Sequence, residues 1–309
     1  MTGATTGPAP VRPARFRIWL LAIRPATLPA AVSGVAVGLG AALAVGAPFR
    51  LDAAIGCLTV ALLLQIVANL ANDLSDFRRG ADTPDRTGPI RVAAAGLVTE
   101  RQLELAIGLT VGLAGIVGLG LTFIGGPIML VIGALATVAA LAYTGGPWPY
   151  GYRALGEVFV FVFFGLVAVG GTAYLQAGRF EPLFVVAAIP VGALTTAILV
   201  VNNLRDIPTD AAAGKRTLAV ALGAHATTVE YAILLLAAYV VPVTLALTGR
   251  GLAVLLPLLT VPIAAPLRRT VRTFSEPRQL NLVLKGTARL ALIHSLFLAI
   301  GLAIGGAAR

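Results

Sequence analysis

An all-α, polytopic membrane protein with about nine transmembrane helices around a central cavity is the fold class this sequence predicts, and three observations carry it. Apolar residues make up 58% of the 309-residue chain and charged residues only 12%, with a mean hydropathy of +0.92. Soluble domains carry about twice that share of charge. Many apolar runs exceed the roughly 18 residues needed to cross a bilayer. They are long and continuous, whereas a membrane β-barrel needs short alternating segments.

Taken in order, the elements follow from where Gly, Pro and charge interrupt the apolar runs. Residues 1–15 are rich in Pro, Gly and Thr and predict a disordered tail ahead of one membrane domain over 16–309. The apolar segment after Arg17 is too long for the core of a secretion signal, and no cleavage site follows it. The spans are expected near 18–46, 52–77, 100–120, 124–143, 156–176, 181–205, 224–247, 251–269 and 284–306. Only "FIGGP" separates the third from the fourth.

Positive charge orients these spans. Arg12, Arg15, Arg17 and Arg24 lie at the start of span one. Arg78, Arg79, Arg86, Arg91 and Arg101 lie between spans two and three, and Arg153 follows span four. Arg205, Lys215 and Arg216 follow span six, and Arg268, Arg269, Arg272, Arg278 and Lys285 separate spans eight and nine. With nine crossings all of these share one side, while the opposite side holds only Arg50, Arg179, Arg250 and Arg309. The expected topology in the cytoplasmic (plasma) membrane is therefore N-terminus inside and C-terminus outside. The net charge of +10 has this topological explanation and does not call for a nucleic-acid partner. Cys57, the single cysteine, lies in span two and reads as a small buried apolar residue.

Acidic residues are distributed far less evenly. Asp52 stands alone in an outer loop, whereas Asp73, Asp76, Asp82 and Asp85 follow span two and Asp206 and Asp210 follow span six. Both groups lie at predicted cytoplasmic helix ends. Asn69, Asp73 and Asp76 are spaced i, i+4, i+7, and Asn72 and Asp76 are i, i+4; Asn202, Asp206 and Asp210 repeat the spacing. A helix places each set on one face. Such faces supply hard oxygen ligands without His or Cys, which suits Mg²⁺ bound through a few carboxylates plus a substrate phosphate. Arg78, Arg79, Arg86, Arg91, Lys215 and Arg216 interleave with them and could hold the remaining phosphate oxygens of a diphosphate. The positive-inside rule alone accounts for these cations, but not for the aspartates that join them.

At these two stretches the chain resembles the UbiA superfamily of intramembrane prenyltransferases. Within it the likeness is to the MenA-type 1,4-dihydroxy-2-naphthoate polyprenyltransferases. The resemblance runs in order from about Trp19 to Gly301 through "WLLAIRPATLPAAVSG", "NLANDLSDFRRGADTPDRTGPIRVAAAGLVT", "YTGGPWPYGYRALGEVFVFVFFG", "NNLRDIPTDAAAGKRTLAVALG" and "LNLVLKGTARLALIHSLFLAIG". One departure stands out. The superfamily's first motif often reads Asn-x-x-x-Asp-x-x-x-Asp, and here Asn72 and Asp76 fit but the third position is Gly80. Asp82 is the candidate substitute.

The resemblance implies transfer of a polyprenyl group from polyprenyl diphosphate to 1,4-dihydroxy-2-naphthoate with loss of CO₂, a step of menaquinone biosynthesis. It implies two Mg²⁺, with Mn²⁺ able to substitute, held by Asn72, Asp76, Asp82, Asp206 and Asp210, with Asn69 and Asp73 as direct or outer ligands. Arg78, Arg86, Arg91, Lys215 and Arg216 would hold the diphosphate. Tyr143 could offer a π face to the allylic cation, and Phe159, Phe161, Phe163 and Phe164 could line the path of the isoprenoid tail. Arg24, Thr27 and Asn203 are candidate acceptor contacts. No proton acceptor can be named. His294, in span nine, is expected to make an interhelical hydrogen bond. Two other readings remain: a related prenyltransferase acting on another aromatic such as 4-hydroxybenzoate, and a secondary transporter. The second fits less well, because transporters place ion sites near the midplane on broken helices.

Overall fold

The computed structural model describes residues 13–81, 88 and 90–307. Most of the expected N-terminal tail lies outside these residues. α1 (Arg15–Ile23) and α2 (Leu28–Ala44) share the first crossing, joined by a single 3-10 turn over Pro25–Thr27. Pro25 and Pro29 explain the break, since neither can donate a hydrogen bond into a continuous ladder. Arg24 takes a left-handed conformation there, with φ 55°.

α3 (Leu51–Arg78) follows, then α4 (Glu100–Gly125), which opens on a reciprocal cap between Thr99 and Gln102. α5 (Pro127–Ala142) comes next, after Gly126 (φ 79°) has separated it from α4. The "FIGGP" break is therefore real. α6 (Gly156–Val160) runs through π-helical turns at Phe161–Val167 into α7 (Ala168–Ala177). α8 (Pro182–Ala212) and α9 (Leu218–Leu247) form the next pair, and Gly223 (φ 81°, ψ 167°) breaks α9 near its start. The span expected from residue 224 thus begins just after that break. A 3-10 stretch, Leu252–Thr260, leads into α10 (Val261–Thr273), and α11 (Leu280–Ala307) closes the bundle.

Among the described residues, eight helical segments are long and apolar enough to cross a membrane. The remaining expected span, 124–143, is the shorter α5, whose 16 residues reach about 24 Å at 1.5 Å per residue. The chain is a multi-pass helical membrane protein.

Small residues let the inner helices approach closely. A Cβ on Gly34 would lie 2.6 Å from the Ala168 Cβ, and one on Gly38 would lie 2.6 Å from the Thr172 Cβ. Contacts this short explain glycines four residues apart on α2, as in other small-residue helix interfaces in membranes. On the outside, Leu109, Ile116 and Phe123 of α4 and Leu135 and Val138 of α5 present an exposed apolar face suited to lipid. His294 is buried on α11, with Nε2 3.2 Å from the Ala238 carbonyl oxygen of α9, the interhelical bond expected of it. Cys57 is buried.

One boundary differs in a way that matters. Span six was expected to end at 205, with its aspartates in a loop, but α8 continues to Ala212 through Pro208. Asp206 and Asp210 therefore lie on the helix itself. Their surroundings are protein, not lipid, so the charges that end an apolar run need not end the helix.

Candidate active site

The C-terminal ends of α3 and α8 meet at one end of the bundle, together with the connections over residues 143–155 and 213–217. On α3, Asp76 is 3% exposed. Its Oδ2 accepts from Arg91 Nη2 at 2.9 Å and its Oδ1 accepts from the Tyr152 hydroxyl at 3.0 Å. Asn72 accepts from Thr144 Oγ1 at 2.9 Å. These two side chains face the 143–155 connection.

The rest of the α3 polar face has other partners. Asp73 accepts the backbone amides of Val92 and Ala93, each at 3.1 Å, and lies 3.9 Å from Arg24. Asn69 donates to the Ile23 carbonyl and to Thr27 Oγ1, both at 2.8 Å. Asn69 and Asp73 thus bind the α1–α2 corner and the 90–93 turn to α3, and Arg24 and Thr27 belong to the same polar junction. Metal contact by Asn69 or Asp73 would have to displace these bonds.

On α8 the two aspartates differ. Asp206 takes a two-pronged contact from buried Arg205, at 2.8 and 2.6 Å, and Arg205 also donates to Asn202 and Asn281. Removing one partner of such a buried pair costs about 3–5 kcal/mol, so Asp206 is committed to Arg205. Asp210 keeps a carboxylate oxygen available. Its Oδ1 is 3.5 Å from Lys215 Nζ, and its buried Oδ2 has no hydrogen-bond partner. Gly214 (φ 69°) turns the chain so that Lys215 N–H donates to the Asp210 carbonyl at 2.9 Å. This glycine turn returns the ammonium to the carboxylate.

Tyr152 joins the two arms. Besides its bond to Asp76, its ring lies beneath the Lys215 ammonium at 5.6 Å and the Arg79 guanidinium at 5.4 Å. Burial pushes its phenol far above the ordinary tyrosine range, and the Asp76 charge and hydrogen bond push the same way against Arg79. It stays protonated and donating. Arg79 is fixed in turn by the Thr144 and Gly146 carbonyls at 3.2 and 2.9 Å. A groove of about 780 Å³ opens beside this junction, lined by Arg79, Trp148, Tyr152, Arg153 and Arg216 among others. The backbones of Arg153 and Arg216 pair across it.

Tyr143 caps the C-terminal end of α5 and is half-buried. Its phenol lies within electrostatic reach of Glu157, Asp210 and Asp76 and beside Tyr150. An aromatic file leads away from it. Tyr150 meets Tyr143 edge-on at 5.4 Å, Phe159 stacks on Tyr150 at 4.0 Å, and Phe163 follows at 6.1 Å. Phe161 instead packs on Gly192 of α8. Asn203 is buried and donates to Glu157 at 2.8 Å.

Arg78 points away from this junction. It pairs with Glu100 at 2.6 Å and with Glu104 on the exposed face between α3 and α4. Two residues past Asp76 is about 200° around a helix, so its side chain leaves on the other side. Arg78→Gln is expected to retain transfer within about twofold, because an exposed pair is worth about 0–1 kcal/mol. A steady-state loss beyond tenfold in well-folded protein would return Arg78 to the site. Tyr152, Thr144 and Glu157 take places that the sequence reading left unassigned.

Asp82, Asp85 and Arg86 lie outside the described residues. Among those described, no three His, Cys, Asp or Glu side chains cluster as a ready-made metal cage. Asp76 and Asp210 are within electrostatic reach of each other, and Asp210 Oδ2 is an orphaned buried acceptor. That donor set fits a hard divalent cation that shares its sphere with water and substrate phosphate.

With this geometry in hand, comparison with known proteins is informative. Residues 31–305 match the model of the UbiA prenyltransferase family. The chain is 41% identical to the 1,4-dihydroxy-2-naphthoate octaprenyltransferase of Mycobacterium tuberculosis, over 94% of this chain and 99% of that protein. Against the enzyme of the same name from Escherichia coli it is 37% identical, over 93% and 96% of the two chains. Its fold is similar to a UbiA homolog from Archaeoglobus fulgidus bound to DMAPP and Mg²⁺, with a TM-score of 0.66, 17% identity, and 93% and 98% of the two chains covered.

Proposed function

This chain belongs to the UbiA prenyltransferase family, and from that premise we propose that it transfers a polyprenyl group from polyprenyl diphosphate to 1,4-dihydroxy-2-naphthoate, with loss of CO₂, in menaquinone biosynthesis. The observation that carries the mechanism is the Tyr152 junction, which sets Asp76 with Arg91 against Asp210 with Lys215. Acid on both sides, interleaved with cations, is the complement of a metal diphosphate.

In this reading Asp76, Asp210 and Asn72 hold divalent cations, probed as two Mg²⁺ with Mn²⁺ as a substitute, and Asp82 joins them on sequence grounds. A divalent cation held there would supply charge neutralisation for the diphosphate leaving group. Lys215, Arg91 and Arg216, with Arg86 by sequence, take the phosphate oxygens where charge accumulates. Tyr143 turns its ring toward the cationic carbon. Phe159 and Phe163 continue its aromatic file along the isoprenoid tail, and the surrounding apolar helices keep water from the cation. Asp206 holds Arg205 and through it the α8–α11 contact. The enzyme works from the cytoplasmic face of the plasma membrane, with its N-terminus inside.

Acceptor identity is tested by mass spectrometry of membranes given a polyprenyl diphosphate with one of several aromatics. The expected product is the decarboxylated prenyl naphthoquinol from 1,4-dihydroxy-2-naphthoate, formed at least tenfold faster than any product of 4-hydroxybenzoate, a preference worth about 1.4 kcal/mol. Preference for 4-hydroxybenzoate would assign the chain to a different branch of the family.

A further inference from the structure

Glu157 opens α6, within a membrane-spanning segment whose other residues are otherwise uncharged. It is 6% exposed, and acidic side chains buried inside a membrane bundle are rare unless they are used. Its Oε1 accepts from Asn203 Nδ2 at 2.8 Å, but its Oε2 is buried without a hydrogen-bond partner. Asn203, 1% exposed, has a buried Oδ1 in the same condition. Glu230 of α9 is within electrostatic reach of Glu157 and carries a third such oxygen. Each orphaned acceptor costs about 1–3 kcal/mol, so native proteins rarely keep several in one place without a ligand or water to serve them. Every unsatisfied atom here is an acceptor. Their complement is a group that donates hydrogen bonds, such as a hydroxyl.

The neighbours say where that molecule sits. Glu157, Asp210 and Asp76 all lie within electrostatic reach of the Tyr143 phenol. Gly156 packs against the Tyr143 ring, where an added Cβ would lie 3.3 Å from Cε2. Lys215, which pairs with Asp210, is also within electrostatic reach of Glu157. The orphaned acceptors thus adjoin the proposed diphosphate site, on the Tyr143 side. Lys215, Tyr143, Glu230 and Asn203 are the charged and polar groups that α5, α8, α9 and the intervening turns direct at Glu157.

We propose that Glu157 and Asn203 hold a ring hydroxyl of the hydroxylated aromatic acceptor, and that Glu157 receives its proton as the new carbon–carbon bond forms. This rests on the reaction proposed above. In the step, the O–H bond breaks and its proton goes to Glu157 Oε2. The O–H electron pair becomes the ring C=O, and a ring π pair forms the bond to the allylic carbon. The allylic C–O bond breaks, and its pair leaves on the diphosphate. With attack at the carboxyl-bearing carbon, loss of CO₂ returns a pair to the ring as a naphtholate. Glu157 then gives the proton back, and the carboxylate is regenerated.

The test uses purified full-length enzyme with Mg²⁺, a polyprenyl diphosphate and 1,4-dihydroxy-2-naphthoate. Glu157→Gln keeps the shape and removes the base, so kcat should fall about 10²-fold or more near neutral pH, while the KM for the donor stays within about twofold. The variant's rate should then climb about tenfold per pH unit, as naphthol ionised in solution replaces the missing base. Glu157→Asp should recover part of the loss. Asn203→Ala should raise the acceptor KM about five- to tenfold and leave the donor KM unchanged. Wild-type kcat in Glu157→Gln, or a loss that is the same at every pH, overturns the proposal. If the Gln variant does not fold, an Asn203→Ala variant with unchanged acceptor KM overturns it instead. No product from the wild-type enzyme removes the proposed reaction and this inference together, whereas product from wild type and undiminished product from Glu157→Gln removes the inference alone.

Discussion

Asp210→Asn should reduce prenyl transfer by about 10³-fold or more, while the protein still inserts and purifies as a monodisperse species. Asp210 has an oxygen that no protein group satisfies, and it faces the Asp76 charge across the Tyr152 junction. A buried carboxylate with an unserved oxygen raises the free energy of the empty protein, and a divalent cation with its diphosphate would relieve that cost. Losing one preorganised electrostatic stabiliser typically costs 10²–10³-fold, and a ligand shared with the metal is expected to cost more. Asp206→Asn should look different. It breaks the buried pair with Arg205, so its first effect should be on stability, read as a lower melting temperature in detergent. Activity that survives Asp210→Asn, measured as prenylated product over time, would remove Asp210 from the site.

The second large effect is expected at Lys215, where charge and shape can be separated. Its ammonium lies 3.5 Å from Asp210 and 5.6 Å from the Tyr152 ring centre, and the residue is 8% exposed. A lysine that only oriented the membrane insertion would lie in water. Lys215→Gln should lose about 10²–10³-fold, largely in kcat if the contact strengthens as the C–O bond breaks. Lys215→Arg should keep part of the rate, because the charge survives but the planar fork cannot occupy the same point above Tyr152. Equal rates for Gln and wild type in correctly oriented protein would make Lys215 a topological residue only.

The membrane architecture was legible because hydropathy measures what lipid demands. Span positions, the proline-broken first crossing and the Gly126 turn all follow from local composition. Legibility failed where protein replaces lipid as the surroundings. The charges after Val201 read as a helix end, yet α8 continues to Ala212, because the bundle interior pairs Arg205 with Asp206 and sets Lys215 beside Asp210. Spacing identified the correct faces of α3 and α8 but not the partner of each side chain. Asn69, Asp73 and Asp76 share a face, yet only Asp76 looks toward Tyr152.

Arg78 could have been set aside by helical angle alone. Tyr152 could not, because it sits in a connection without periodicity and gains its role from elements distant in sequence. Glu157 carried a signal of its own: a lone acid opening a 22-residue apolar span asks for a function wherever it occurs.

The central claim is that the aspartates of α3 and α8 form a single metal–diphosphate site. Equilibrium binding of an unreactive polyprenyl diphosphate analogue, without acceptor and with Mg²⁺ or EDTA, tests it most directly. Wild-type protein should bind tightly only with Mg²⁺. Asp76→Asn and Asp210→Asn should each weaken that binding at least tenfold, about 1.4 kcal/mol, and the double variant should be little worse than either single one, as expected of residues acting as a unit. Unchanged affinity in the double variant, or equal wild-type affinity in Mg²⁺ and EDTA, would contradict it.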